Sequence, residues 1–148
     1  MMKKIICLAV AAALMLIALP LRADRERIID PEQLPAAAKT FVQKYFPENT
    51  ISTAQKEVDG LRTKYSVHLD DGTEIEFNSK GEWDNVDCNF HSVPAELIPA
   101  GIAAVVEKRF PGQSIVKIDK ERYGYELELS NDIELKFDKK YNLIGMDD

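Results

Sequence analysis

Two matching stretches decide the fold: YSVHLDDGTEIEF at residues 65–77 and YELELSNDIELKF at residues 125–137. In each stretch an apolar residue occupies every second position on both sides of a short polar segment. This period of two is typical of β-strands with one buried and one solvent-exposed face. Asp70-Asp71-Gly72 and Ser130-Asn131-Asp132 are residues that tight turns favour. Each stretch therefore predicts an antiparallel β-hairpin.

The alternation also assigns the hairpin side chains to two faces. The apolar set is predicted to face a core and consists of Tyr65, Val67, Leu69, Ile75, Phe77, Tyr125, Leu127, Leu129, Ile133, Leu135 and Phe137. The polar set is predicted to face away from it and consists of Ser66, His68, Glu74, Glu76, Glu126, Glu128, Glu134 and Lys136. Like charges on neighbouring strands destabilise a sheet, and a basic protein or peptide would relieve that repulsion and be attracted by it. The polar set is therefore the candidate partner-binding site; an ordinary solvated face is the alternative.

Each hairpin belongs to a longer repeat. Matching residues precede both hairpins: Leu34-Pro35, Phe46-Pro47 and Gly60 in the first copy, and Ile98-Pro99, Phe110-Pro111 and Gly124 in the second. The offset is 64 residues up to Gly60 and Gly124 and 60 residues afterwards, because residues 61–64 have no counterpart. We expect two repeats, residues 30–88 and 92–148, that bury apolar faces neither could bury alone.

A helix is predicted at the start of each repeat. Apolar residues at helical spacing form one stripe per helix: Ala38, Phe41, Val42, Tyr45 and Phe46, then Ile102, Val105, Val106 and Phe110. Asp30-Pro31-Glu32 is predicted to begin the first helix as N-cap, first-turn proline and first-turn acid. Ser92, Pro94 and Glu96 are predicted to do the same for the second. Pro47 and Pro111 should end the two helices.

The remaining segments complete the predicted fold. Further strands are expected at residues 50–58, 82–86, 114–121 and 141–146. Residues 24–29 are interpreted as a charged, frayed lead-in. The predicted class is α+β: two tandem α-β-β-β-β units with about eight strands in an antiparallel sheet and both helices on one face.

Residues 1–23 are predicted to be a secretory signal peptide. Lys3 and Lys4 precede an uninterrupted apolar stretch at residues 5–19, and Leu21-Arg22-Ala23 is a suitable processing site. That apolar stretch is short for a membrane span, although a retained N-terminal anchor is the alternative. Cleavage after Ala23 would leave residues 24–148 as a single domain in the periplasm or outside the cell, without stable membrane insertion.

Charge and cysteine content restrict the functional class. The signal contains three basic residues and no acids, so the remaining chain has a formal charge of (19 − 3) − 25 = −9. This charge disfavours nucleic acid and anionic lipid as partners and favours a basic one. Only Cys88 remains after cleavage, so an intramolecular disulfide is excluded. A lone thiol of this kind is typically a small buried apolar residue.

No catalytic, metal or cofactor site is predicted. Cys88 and His91 supply half of a zinc pattern, with His68 elsewhere, whereas structural zinc needs four ligands and catalytic zinc three. A Cys88–His91 nucleophilic pair is the enzymatic alternative, but it lacks an orienting third group. Glutamates on strands, without a loop of backbone carbonyls, make a poor calcium site. We therefore expect no enzymatic activity.

Three aromatic residues fall outside the core pattern: Trp83, Phe90 and Tyr123. Trp83 is predicted to fill the core between the two units, because a large ring on a strand at the middle of the chain suits that place. If it were exposed, it would be a natural anchor for a partner.

The chain resembles the PepSY-like family of exported bacterial proteins, whose fold is similar to that of β-lactamase inhibitory protein. The resemblance rests on the Leu-Pro and Phe-Pro pairs that bracket the first helix, on the Gly-Tyr entry to the hairpin at Gly124-Tyr125, and on the closing segment at residues 81–88. A degenerate copy of that segment, without its tryptophan, occupies residues 141–148. The resemblance implies modules that bind other proteins, in one case by covering an enzyme's active site with an open sheet face, and it supplies no enzymatic residues.

These observations predict an exported, non-enzymatic binding module that presents its polar sheet face to a protein or peptide, as in an inhibitor. The alternative is a periplasmic protein that binds a small ligand or a metal ion.

Overall fold

The computed structural model describes residues 25–148. The predicted signal peptide and its cleavage site lie outside the described residues. No helix in the described range is long and apolar enough to cross a bilayer.

Within residues 25–148 the fold consists of two α-helices and nine β-strands. The strands are β1 (Glu26–Ile29), β2 (Ile51–Asp59), β3 (Arg62–Leu69), β4 (Glu74–Phe77), β5 (Trp83–Asp87), β6 (Ile115–Lys120), β7 (Gly124–Leu129), β8 (Glu134–Asp138) and β9 (Leu143–Asp147). Helix α1 spans Ala36–Tyr45 and α2 spans Ala100–Arg109, each preceded by a 3₁₀ turn, Pro31–Gln33 and Ala95–Leu97. The strands form one antiparallel sheet in chain order. The α+β class and the antiparallel sheet are as predicted, and the order helix-then-four-strands occurs twice.

The interpretation of residues 24–29 as a frayed lead-in was wrong, and the expected eight strands are nine. Residues Glu26–Ile29 form β1, which pairs with β2 in the register Ile28↔Gln55 and Ile29↔Ala54. An edge strand is held by backbone hydrogen bonds and needs apolar residues on one face only. Ile29 packs against the core, whereas Glu26 and Arg27 are exposed. Because these two charged residues break the apolar alternation, the sequence pattern does not indicate a strand here.

The predicted helix starts were early: Pro31 and Pro94 were placed near the starts, whereas α1 begins at Ala36 and α2 at Ala100. Asp30 does form a capping box: its side chain accepts from the Glu32 N–H at 2.9 Å, and the Gln33 side chain accepts from the Asp30 N–H at 3.1 Å. This box caps only the 3₁₀ turn. A residue that precedes proline is disfavoured in helical conformation, so the chain at Leu34-Pro35 is extended and α1 begins at Ala36. Ile98-Pro99 separates the second turn from α2 in the same way.

An apolar row crosses the whole sheet on one face. Cross-strand partners place the following residues side by side: Ile29, Ala54, Val67, Ile75, Val86, Ile118, Leu127, Leu135 and Met146. From Ala54 to Leu135 every member of this row is buried. The buried side chains of α1 and α2 belong to the same cluster as this row. The Phe41 ring of α1, for example, meets the Phe77 ring edge-on, 5.5 Å between centroids.

The two halves of the sheet join where β5 pairs with β6. The partners are Asn85↔Asp119, Val86↔Ile118 and Asp87↔Lys117. The Cys88 N–H extends this pairing by donating to the Val116 carbonyl at 2.8 Å.

Trp83 lies beside this junction and is half-buried rather than fully enclosed. Its ring packs near Phe41, 6.3 Å between centroids, and the Lys120 ammonium of β6 lies 3.9 Å from its centre. The predicted contact of Trp83 with the core is present, with a cation–π contact to the second half in addition.

Shortening a side chain at the junction should destabilise the whole fold. Ile118 is 0 % exposed, and truncating a buried isoleucine to alanine costs about 2–5 kcal/mol. We expect Ile118→Ala to lower the free energy of unfolding by that amount in urea titrations followed by circular dichroism. Ile144→Ala is the matched control, because Ile144 is 55 % exposed and its loss should stay within about 0.5 kcal/mol. Equal losses from the two variants would contradict the central position of Ile118.

Candidate partner-binding face

The polar side chains predicted from the hairpins lie opposite the apolar row, because they alternate with it along β3, β4, β7 and β8. Strand pairing arranges this surface in two rows. One row consists of Ile28, Gln55, Ser66, Glu76, Asn85, Asp119, Glu126, Lys136 and Gly145. The other consists of Thr53, His68, Glu74, Asp87, Lys117, Glu128, Glu134 and Asp147. We call these two rows the open face.

The centre of the open face lies outside the predicted site residues. Asn85, Asp87, Lys117 and Asp119 lie on β5 and β6, between the two predicted hairpins. Their alternation with the buried Val86 and Ile118 could have identified them. The predicted residues from the two hairpins are thus joined by this central group into one acidic surface.

Two carboxyl groups near the centre have raised pKa values. For Asp119 the main cause is burial, opposed by the Lys117 ammonium and by the hydrogen bond from the Asn85 amide, and reinforced by Glu126 and Asp87. Burial also raises the pKa of Glu76, opposed by Lys64 and reinforced by Glu74 and Asp119 among others. Burial and the neighbouring carboxylates therefore make the ionised forms of Asp119 and Glu76 less favourable.

Few cations balance this charge. Lys117 Nζ lies 3.7 Å from Asp119 Oδ2. Burial alone would lower the pKa of Lys117, but the surrounding acids, led by Asp119 and Asp87, raise it overall. At the two sides of the face, His68 Nε2 lies 4.0 Å from Glu74 Oε1 and Lys136 Nζ lies 3.9 Å from Asp147 Oδ2. His68 is a cation only when protonated, and an exposed pair such as Lys136–Asp147 contributes about 0–1 kcal/mol, so the face retains an excess of negative charge.

Tyr123 adds an aromatic side chain at the margin of the face. It is partly exposed, and its hydroxyl donates to Glu126 Oε2 at 3.1 Å. Burial, with this hydrogen bond and the nearby carboxylates, raises the pKa of Tyr123 to about 12. The phenol therefore remains protonated and continues to orient Glu126.

The depressions lined mainly by the open face are small. They have volumes of about 80 and 10 Å³, far less than a ligand pocket of about 300–1,000 Å³ requires. Larger grooves lie elsewhere: one of about 420 Å³ between α1 and β2, and one of about 270 Å³ between α2 and β6. A charged surface with only small depressions of this size suits a protein or peptide better than a small molecule.

The described residues provide no metal centre, since no three His, Cys, Asp or Glu side chains among them are grouped to hold an ion. Cys88 is 1 % exposed, and burial raises the pKa of its thiol to about 11. His91 is exposed. A buried thiol with a raised pKa is a poor nucleophile, which supports the structural interpretation of Cys88.

Comparison with known proteins connects this architecture to a family. The family model described as "Putative beta-lactamase-inhibitor-like, PepSY-like" matches residues 63–145. No curated protein matches the chain.

Solved structures match over nearly their whole length. A periplasmic protein of the DUF2874 family from Bacteroides vulgatus is 36% identical, with a TM-score of 0.81, over 85% of this chain and 99% of that one. A protein from Bacteroides thetaiotaomicron, described as a "putative calcium-regulated periplasmic protein", is 38% identical, with a TM-score of 0.80, over 83% and 97%. A second periplasmic protein from Bacteroides vulgatus is 38% identical, with a TM-score of 0.79, over 83% and 99%.

The crowding of carboxylates can be measured by titration. We expect the carboxyls of Asp119 and Glu76 to titrate above their ordinary values of 3.8 and 4.5, and that of Asp138, which accepts from the Asn142 N–H, below 3.8. Because folding raises the first two pKa values, the folded state binds extra protons. Their contribution to stability therefore falls as pH rises from the unfolded to the folded pKa.

Carbon-detected NMR of side-chain carboxyls reports each pKa directly. In the Asp119→Asn variant the pKa of Glu76 should move down, because Asp119 is one of the charges that raise it. Titration of Asp119 at or below 3.8 would contradict the described burial.

Proposed function

The chain belongs to the PepSY-like, β-lactamase-inhibitor-like family, and from this membership and the acidic open face we propose that it is an exported, non-enzymatic binding module. Its partner is a protein or peptide with a basic surface, held across the strands of the sheet. The excess of carboxylates over cations on the open face is the observation that carries this proposal.

The charge distribution supports a basic partner on physical grounds. Carboxylates on neighbouring strands repel one another, and Glu128 and Glu134 are direct cross-strand partners. A cationic surface placed over such groups would replace repulsion by attraction. Complementary potentials also accelerate association and exclude partners of like charge.

The proposal includes a specific architecture. We infer two tandem units whose helices cover the same face, which leaves the other face free. In support, buried residues of α1 and α2 share one cluster with the apolar row, and the element order repeats. A sheet covered on one side only is an available platform, as antiparallel sheets commonly are.

Localisation to the periplasm or cell exterior forms part of the same proposal. The solved relatives are described as periplasmic, and the N-terminal residues have the composition of a secretory signal. Inhibition of an exported enzyme is the form of binding that the family description favours.

Reversing the charge of the open face should abolish capture of the partner. The test variant changes Glu74, Glu76, Glu126 and Glu128 to lysine; each lies on the open face. Wild-type and variant proteins are immobilised and exposed to periplasmic extract, and bound proteins are identified by mass spectrometry. We expect basic proteins to be recovered by the wild type and lost from the variant, and recovery to fall with rising salt.

A matched control distinguishes an effect of the open face from an effect of net charge. Glu32, Glu48, Glu96 and Glu107 are exposed residues on the turns and helices, and changing them to lysine alters the charge by the same amount. This control should capture the wild-type partners. Identical recovery by all three proteins would refute the proposed binding face.

Calcium binding is a second candidate function, because the Bacteroides thetaiotaomicron relative is described as calcium-regulated. The open face offers many carboxylates but no group of three ligands within residues 25–148. Calcium sites take six to eight oxygen ligands. We therefore place protein binding first.

Thermal unfolding discriminates between the two functions. A specific ligand raises the midpoint with the logarithm of its concentration. We expect calcium and magnesium to produce equal, small changes by screening the acidic face. A calcium-specific rise that magnesium does not reproduce would favour the second function over the first.

A further inference from the structure

The two outer strands of the sheet differ in how well they are protected against pairing with another chain. Unpaired edge strands tend to pair with other chains, and charged side chains along them are a common protection. β1 is short and begins with Glu26 and Arg27. β9 has Ile144 and Met146, 55 % and 57 % exposed, and its only charged residue is Asp147. Among the described strands, β9 thus presents the less protected edge.

β9 repeats β5 in structure as well as in sequence position. β5 pairs with β4 through Ile75↔Val86 and Glu74↔Asp87. β9 pairs with β8 in the same way, with Met146 in the place of Val86 and Asp147 in the place of Asp87. Both pairings contain a register shift at the same point, after Glu76 on β4 and after Lys136 on β8.

The outer edge of β5 shows which kind of neighbouring strand can pair with a strand of this type. It is covered by β6, whose Ile118 lies opposite Val86 and whose Lys117 lies opposite Asp87. Backbone bonding continues to the Cys88 N–H, which donates to Val116 at 2.8 Å. The matching places on β9 have no such neighbour within the described residues, and Met146 is exposed whereas Val86 is fully buried.

We propose that the outer edge of β9 binds an extended segment of a partner protein, which adds antiparallel as a further strand. The segment places an apolar residue opposite Met146 and a basic residue opposite Asp147, as β6 does on β5. Backbone hydrogen bonds supply affinity and the alternating side chains supply specificity, as in other cases of strand addition. This site shares Gly145 and Asp147 with the open face but uses the outer backbone edge of β9, and it does not rest on the function of that face.

The negative charge of the chain disfavours binding of a second copy at the outer edge of β9. Antiparallel pairing of β9 with itself brings the acidic residues Asp147 and Asp148 of both copies to the same short interface, without a cation on either strand. Each exported copy would also have a formal charge of (19 − 3) − 25 = −9. Like charges on neighbouring strands and between whole molecules oppose such a pair.

The test uses the chain's own β6 as the probe. The full chain is expressed with ¹⁵N label, and its exported product is titrated with a synthetic peptide of residues 113–121, QSIVKIDKE. We expect chemical-shift changes to concentrate on β8 and β9. Hydrogen exchange at the Met146 amide should slow, because Met146 takes the place of Val86 facing the added strand.

A charge-swap cycle supplies the matched control. Asp147→Lys should weaken binding of the native peptide about two- to fivefold, the size of a cross-strand ion pair. The peptide with Lys117→Glu should bind the wild type more weakly and the Asp147→Lys protein more tightly. The protein with four open-face glutamates changed to lysine should still bind the native peptide at β9, whatever its effect on the open face.

Three results would overturn the proposal. One is the absence of shift changes up to the solubility limit of the peptide. Another is a set of changes spread over the open face instead of β9, which would show binding by charge alone. The third is a dimer in sedimentation experiments that Asp147→Lys alters, which would assign the edge to a second copy.

Discussion

The pairing of β5 with β6 is the contact on which the rest of the structure depends. It sets Val86 beside Ile118 and so makes one sheet of strands that would otherwise form two small ones. A helix on four strands offers little apolar surface to bury, and small cores are only marginally stable. Joined through this pair, the buried residues of both helices and both halves belong to one cluster, and the polar side chains of both halves share the second face of the sheet.

The same pairing builds the middle of that second face. Because side chains alternate along a strand, burial of Val86 and Ile118 obliges Asp87 and Asp119 to point the other way. Acids from both halves are thereby brought onto neighbouring strands, and burial together with mutual repulsion raises the pKa of Asp119. A cationic partner that covered this group would favour its ionised form, so binding and proton release would be linked. Stability and the proposed recognition of a partner therefore depend on one register.

Local periodicity predicted much of this fold. The hairpins, their two faces and the helical stripes follow from spacing within short segments. The strand β1 was missed because its exposed Glu26 and Arg27 are typical of a frayed terminus. The helix starts were placed early because the capping residues around Asp30 serve a 3₁₀ turn equally well. Alternation could assign Asn85 and Asp119 to the polar faces of their own strands. Their pairing joins residues far apart in the chain, without a turn to set the register, so no local pattern could show that these two strands are neighbours.

Native-state hydrogen exchange tests most directly whether the two halves form one cooperative structure. The amides of Ile118 and Cys88 lie at the junction of β5 and β6. If the junction unites the fold, these amides should exchange only through global unfolding, with the same free energy as the most protected amides of β3 and β7. Faster exchange at the junction, with each half retaining its own separate protection, would contradict the account.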